Sequence, residues 1–112
     1  MSNEVICQVD DLVANSGVCA RVIYKGESKQ VALFYLPDSE QKIFALDNWD
    51  PLGEANVLSR GMIGDIDHEP VVASPLYKQH YSLATGKCLE SDVSVQCYPV
   101  AIDGDSVVLH SH

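Results

Sequence analysis

The alternation between Val18 and Lys25 constrains this chain more than any other feature. Val18, Ala20, Val22 and Tyr24 fall on one side and Cys19, Arg21, Ile23 and Lys25 on the other, the period of a strand with one face turned inward. Val and Ile supply 20 of the 112 residues, and no Ala-, Leu- or Glu-rich stretch of helical length interrupts them. β-propensity therefore prevails almost throughout, and the expected class is all-β.

The same reading places a short strand at Val5 to Val9 and one helical turn at Asp10 to Ala14, ended by Asn15-Ser16-Gly17. A turn at Lys25-Gly26-Glu27-Ser28 leads into Gln30 to Leu36, a nearly continuous apolar run that stops at Pro37-Asp38. Lys42 to Leu46 is its hairpin partner. Near the C-terminus, Tyr98 to Ile102 and Asp105 to Leu109 flank Asp103-Gly104, a dipeptide suited to a type I′ turn. Further strands are expected at Val71 to Ala73, His80 to Leu83 and Ser94 to Gln96, with a surface hairpin around Asp65 to Glu69. Many short strands separated by Gly, Pro and Asp imply a small antiparallel sandwich or barrel. A chain of this length is expected to form one domain over residues 1–112.

Charge excludes several functions. Seven basic residues stand against sixteen acidic ones, a net charge of −9. The cations are scattered singly, whereas nucleic-acid binding needs them clustered, so neither nucleic acid nor an anionic membrane surface is an expected partner. No segment approaches the roughly 20 apolar residues of a membrane span. The Val5-Ile6-Cys7 run is too short for a secretory signal and follows Glu4 rather than a positive charge, which leads to an expectation of cytoplasmic location. Cys7, Cys19, Cys88 and Cys97 form no CxxC pair of the kind zinc or redox sites use, and read as buried thiols. Cys88 and Cys97 would approach each other if their strands paired. The His110-Ser111-His112 end reads as a frayed tail.

Two loops interrupt the strands with unusual polar content, Asp47-Asn48-Trp49-Asp50-Pro51-Leu52-Gly53-Glu54 and Ser74-Pro75-Leu76-Tyr77-Lys78-Gln79-His80-Tyr81. Their order with Leu58-Ser59-Arg60-Gly61, Leu83, Thr85-Gly86, Tyr98-Pro99-Val100 and the closing hairpin resembles the Rieske-type iron–sulfur domain across nearly the whole chain. That resemblance implies a Rieske-like antiparallel β-sandwich or barrel. A Rieske domain holds its [2Fe-2S] cluster with CxH in one loop and CxxH in the other, two thiolates on one iron and two imidazoles on the other. The matching positions here are Asp50, Leu52, Ser74 and Tyr77, so the resemblance implies a fold that has lost its ligands, with no cofactor or metal in this chain.

The combination Asn48-x-Asp50-Pro51, Val57-Leu58-Ser59-Arg60-Gly61 and Ala73-Ser74-Pro75-Leu76 with Lys78-Gln79 is similar to the small subunits of cytoplasmic NAD(P)H-dependent assimilatory nitrite reductase. In that family the large catalytic subunit carries FAD, an iron–sulfur cluster and sirohaem, and reduces nitrite to ammonia. The resemblance implies an accessory chain, non-catalytic by itself, acting by contact with that subunit. A second reading is a ferredoxin-like electron carrier with non-standard iron ligands, which predicts a coloured protein. A third is a free-standing, ligand-free adaptor, which predicts a partner without flavin or sirohaem.

Individual residues carry competing expectations. Asp47, Asp50 and Glu54 suggest a carboxylate site, but loop acids in so acidic a chain are expected to be solvated or to cap backbone. Ser74 lacks a GxSxG elbow and precedes proline, so it is expected to hydrogen-bond loop backbone rather than act as a nucleophile. Trp49 reads either as a residue packed under its loop or as an exposed anchor for a partner. Arg60 makes an internal ion pair or meets a partner's carboxylate, and His80 begins a strand. The expected partner interface is Asn48, Trp49, Asp50, Arg60, Tyr77, Lys78, Gln79 and His80.

Overall fold

A computed structural model of the chain describes residues 2–76 and 78–111. Twelve strands follow in order: β1 (Ser2–Gln8), β2 (Ser16–Tyr24), β3 (Glu27–Tyr35), β4 (Ile43–Asp47), β5 (Trp49–Asp50), β6 (Ala55–Asn56), β7 (Met62–Ile66), β8 (Glu69–Ala73), β9 (His80–Ser82), β10 (Cys97–Tyr98), β11 (Val100–Asp103) and β12 (Ser106–Ser111). All pairings between these strands are antiparallel. The only helical pieces among the described residues are two 3-10 turns, Val9–Asp11 and Leu58–Arg60. None is long and apolar enough to cross a membrane.

Three layers result. A central sheet in the order β10-β4-β3-β2 lies between a terminal sheet, β1-β12-β11, and a smaller sheet, β7-β8-β9. The sequence of β3 and β4 explains this. Val31, Leu33, Ile43 and Ala45 point into one core with Val22, Tyr98, Val107 and Leu109, and the terminal sheet covers it. Their neighbours Ala32, Phe34, Phe44 and Leu46 point the opposite way, into a second core with Leu58, Val72, Tyr81 and Leu83. Successive strand residues face opposite sides, so a strand covered on both sides reads as an unbroken apolar run. Each fully buried Leu or Phe here adds roughly 1.5–3 kcal/mol.

Several expectations shift in detail. The helical turn near Asp10 occurs one residue earlier, as a 3-10 turn in which the Asp11 carboxylate accepts the Gln8 N–H at 3.0 Å. The expected strand from Tyr98 to Ile102 is split, because Pro99 has no N–H to give a ladder. Cys97–Tyr98 pairs with β4, and after Pro99 the chain joins β12 in the other sheet. The closing hairpin pairs Asp103 with Ser106, so its turn is Gly104-Asp105, with positive φ at Gly104 alone (62°). That is the type II′ pattern rather than type I′, because glycine stands first in the loop. Positive φ at both central residues occurs instead at Lys25-Gly26 and at Asp67-His68, the tip of the β7–β8 hairpin. Ser94 to Gln96 forms no strand and contributes only a single bridge, Ser94 to Lys87. His110 and Ser111 belong to β12 rather than to a frayed tail, and His112 lies outside the described residues.

Candidate functional site

The two polar loops come together on the side of the central sheet away from the terminal sheet. The first is not an open loop but a small hairpin, in which Trp49 pairs with Asn56 and Asp50 with Ala55. Inside it, Glu54 N–H donates to the Asp50 carbonyl at 2.7 Å, and Leu52 N–H donates to Asp50 Oδ1 at 3.0 Å, an Asx turn. The second loop joins β8 to β9. Ser74 N–H donates to the Gln79 carbonyl at 2.8 Å, Lys78 N–H donates back to the Ser74 carbonyl at 3.0 Å, and Leu76 N–H reaches Ser74 Oγ at 3.3 Å.

A buried hydrogen-bonded group joins the loops. Ser74 Oγ donates to Asp50 Oδ2, and the Tyr81 hydroxyl donates to Asp50 Oδ1 at 2.8 Å. All three residues are 0% exposed. Asp50 is thus neither solvated nor merely a local cap, contrary to expectation, and Ser74 bonds across the gap as well as to its own loop. The loops touch here as well, since a Cβ at Gly53 would meet the end of the exposed Leu76 side chain. Burial pushes the Asp50 carboxyl up, but the Ser74 and Tyr81 hydroxyls with the Gly53 and Leu52 amides outweigh it and hold the group below its ordinary range. Burial first, and the adjacent carboxylate second, push the Tyr81 phenol well above its usual range.

This group ties the two loops together. Asp50 already accepts from two hydroxyls and from backbone amides of its own loop, and no cavity opens beside it among the described residues. Ser74 Oγ bonds to Asp50 and to the Leu76 N–H, and no hydrogen bond joins it to a histidine among the described residues; His80 Nδ1 lies 2.6 Å from Glu90 Oε2. The His80 backbone N–H also donates to Glu90 at 2.8 Å, and that contact leads the causes holding the Glu90 carboxyl below its usual range.

The donor set does not fit a [2Fe-2S] cluster either. The loops offer no thiolate, and among the described residues no three His, Cys, Asp or Glu side chains converge. All four cysteines are free. Cys88 is buried in the core beneath the loops and Cys97 packs against it, but Cys88 bridges to Tyr81 and Cys97 pairs with Leu46, not with each other. Cys19 is exposed and Cys7 half-buried, so the expectation of buried thiols holds for Cys88 alone.

The residues expected at an interface divide by burial. Trp49 is 41% exposed, which settles its position in favour of the surface, and Arg60 and Lys78 are exposed as well. Arg60 makes no ion pair among the described residues. Gln79 and His80 are half-buried, and His80 opens β9. Tyr77 lies outside the described residues. Asn48 and Asp50 are buried, so both work from within rather than at the surface. The Asn48 carbonyl oxygen Oδ1 accepts Ser59 N–H at 2.7 Å, and Nδ2 donates to Gln30 Oε1 at 3.2 Å, fixing the Leu58–Arg60 turn against β3. Leu76 is exposed beside Lys78 and belongs with this surface.

Sequence reasoning placed Gly53 and Tyr81 within the two loops but gave neither a role there, and it did not point to Glu90. A tyrosine at a core-facing strand position carries one usable signal: its hydroxyl must find a partner when buried. Glu90 had none, because its pairing with His80 depends on how the chain returns after β9.

Comparison with known proteins agrees with the geometry. Residues 3–110 match the family model of the Rieske-like [2Fe-2S] domain. The chain is 45% identical to the nitrite reductase (NADH) small subunit of Salmonella typhimurium, with 92% of this chain and 91% of that one aligned. A solved structure of the Escherichia coli protein NirD superposes with a TM-score of 0.81 at 39% identity, covering 96% of each chain. A segment of the nitrite reductase [NAD(P)H] large subunit of Klebsiella oxytoca is also similar, at 42% identity over 93% of this chain. There the chain spans only 10% of the relative's length.

Proposed function

The chain belongs to the Rieske-like [2Fe-2S] domain family and, within it, to the small subunits of NAD(P)H nitrite reductase, and from that premise we propose that it is an accessory subunit acting by contact. On this reading it docks on a large catalytic subunit in the cytoplasm. That subunit carries FAD, an iron–sulfur cluster and sirohaem, and reduces nitrite to ammonia for nitrate assimilation. The full-length similarity to a nitrite reductase small subunit carries the proposal.

The loops support a role by contact. Asp50, Leu52, Ser74 and Tyr77 stand, on this reading, where cluster-bearing relatives place their ligands. Asp50 and Ser74 instead hydrogen-bond to each other, with Tyr81 as the third member. A hydrogen-bonded clasp thus does the mechanical work that a cluster does elsewhere, and the surface it fixes includes Trp49, Leu76 and Lys78. A large exposed tryptophan on a rigid support is a favourable anchor for a partner.

The test is nitrite-dependent NAD(P)H oxidation by the purified large subunit, with and without this chain. The expected result is higher or longer-lasting activity with the chain present, together with measurable binding. No binding and no change in rate or lifetime would overturn the proposal. Stoichiometric iron and sulfide in a brown, reconstituted preparation of the chain would instead establish the electron-carrier reading.

A further inference from the structure

We infer that the outer edge of β2 is a docking edge for an extended segment of another polypeptide, one in which acidic residues alternate with apolar ones. This edge is separate from the clasped loops, and the inference does not depend on the accessory-subunit reading. β2 is an outer strand of the central sheet, and it pairs with β3 in unbroken register from Ser16 to Tyr24. The hairpin turns on Lys25-Gly26, both with positive φ, so Tyr24 and Glu27 close it as a hydrogen-bonded pair. Val22, Ala20 and Val18 then bond to β3 in alternation. The same phase turns Gln30 toward β4, where its carbonyl accepts Asn48 N–H at 3.0 Å. The N–H and C=O groups of Cys19, Arg21 and Ile23 therefore point away from β3, and no backbone group meets them among the described residues.

The other outer strands are blunted. β1 carries a bulge between Val5 and Cys7, β7 has five residues with Asp65 among them, and the rest are four residues or shorter. β2 has no bulge, proline or acid. Its one charged side chain, Arg21, is drawn back over β3 by a hydrogen bond from Nη1 to Ser28 Oγ at 3.1 Å, which leaves the edge open. Side chains on the two faces select the occupant. On the clasp side lie Cys19, Arg21 and Ile23, the last 56% exposed, across from Ser28 and Gln30, and Arg21 is the only charge among them. On the other side lie Ala20, Val22 and Tyr24, where Glu27 and Lys29 are already paired at 3.0 Å and Lys25 Nζ sits 5.4 Å above the Tyr24 ring. An added strand thus meets a cation on one face and apolar side chains on the other. Its backbone supplies affinity, and its alternate side chains supply specificity. The chain's charge of −9 opposes an acidic segment from afar, but at physiological salt that repulsion fades beyond about 8 Å, whereas Arg21 acts at contact distance.

The test uses the native chain and a short blocked peptide of alternating glutamate and valine, at about 0.15 M salt. Binding is expected with Kd below about 1 mM. Amide exchange at Cys19, Arg21 and Ile23 should slow by about tenfold or more, while Ala20 and Val22, already bonded to β3, stay unchanged. A peptide with lysine in place of glutamate should bind about fivefold more weakly, and Arg21→Glu should reverse that order. Ile23→Pro removes an N–H that β3 does not use, so it should weaken binding with the fold intact; Arg21→Glu makes its comparison without touching the backbone. A peptide N-methylated at the amides facing β2 should not bind. No binding at about 1 mM, equal binding of the N-methylated peptide, equal binding of the lysine peptide, or slowed exchange at the clasped loops instead of β2 overturns the inference. Slowed exchange at the β2 edge in the chain alone as its concentration rises, with a doubled mass in sedimentation, overturns it in favour of a second copy.

Discussion

The clasped loops and the terminal sheet solve the same problem with different materials. The terminal sheet ties residues from both ends of the chain by a backbone ladder and by apolar side chains such as Val107 and Leu109, both at most 1% exposed. The loops, between 50–54 and 74–79, have little ladder of their own and are joined by a buried carboxylate and two hydroxyls. Apolar packing is forgiving of direction, whereas a buried hydrogen-bonded group fixes it, and an unpartnered member is costly. One end of the molecule is therefore held firm, and the other is held in a defined shape.

The contrast can be broken by substitution. Asp50→Ala strands two buried hydroxyls and the Leu52 amide, and should lower unfolding free energy by roughly 3–5 kcal/mol in urea titration. Leu109→Ala in the terminal sheet should cost about 3 kcal/mol by cavity formation, and amide exchange should show whether the clasped loops keep their protection. Trp49→Ala should leave stability nearly unchanged yet weaken binding to the large subunit by about 2 kcal/mol, roughly 30-fold, in titration calorimetry. Ser74→Ala removes one donor and should cost about 1–2 kcal/mol, less than Asp50→Ala because Tyr81 still serves the carboxylate.

Acid separates the two regions more finely. The Asp50 carboxyl is held below its ordinary range in the fold. Its contribution is therefore fully present above the unfolded carboxylate value of about 3.9 and is lost as pH falls through the lower folded value. The stability difference between the native chain and Asp50→Asn should narrow over that acid window, whereas the difference from Leu109→Ala should stay flat. Parallel pH profiles for the two variants would show that the clasp gains nothing from its charge.

How much of this was legible depended on where the determining contacts lay. The all-β class, the β2–β3–β4 meander and the unbroken runs at Val31 to Phe34 and Ile43 to Leu46 follow from local periodicity, which the sequence displays directly. The Rieske-like arrangement was legible through the loop motifs and their order. The switch of sheets at Pro99 was marked by the proline, but not the identity of the two sheets, which depends on pairing with β4 and β12. At the site, the two loops were found and their binding chemistry was not. Nothing local distinguishes Asp50 from Asp47 or Glu54. Its burial follows from Ser74 and Tyr81, 24 and 31 residues further on. Trp49 was left between two positions for the same reason: the β5–β6 pairing that turns it outward is only two residues long.

The twofold burial of β3 and β4 gives neighbouring codons different clients. A change at Leu33 or Ala45 is felt by the layer that carries the chain ends, and one at Phe34 or Phe44 by the layer beneath the clasp. A lineage adapting to an altered partner can thus retune one half of the molecule through every second position, while the residues in between preserve the other.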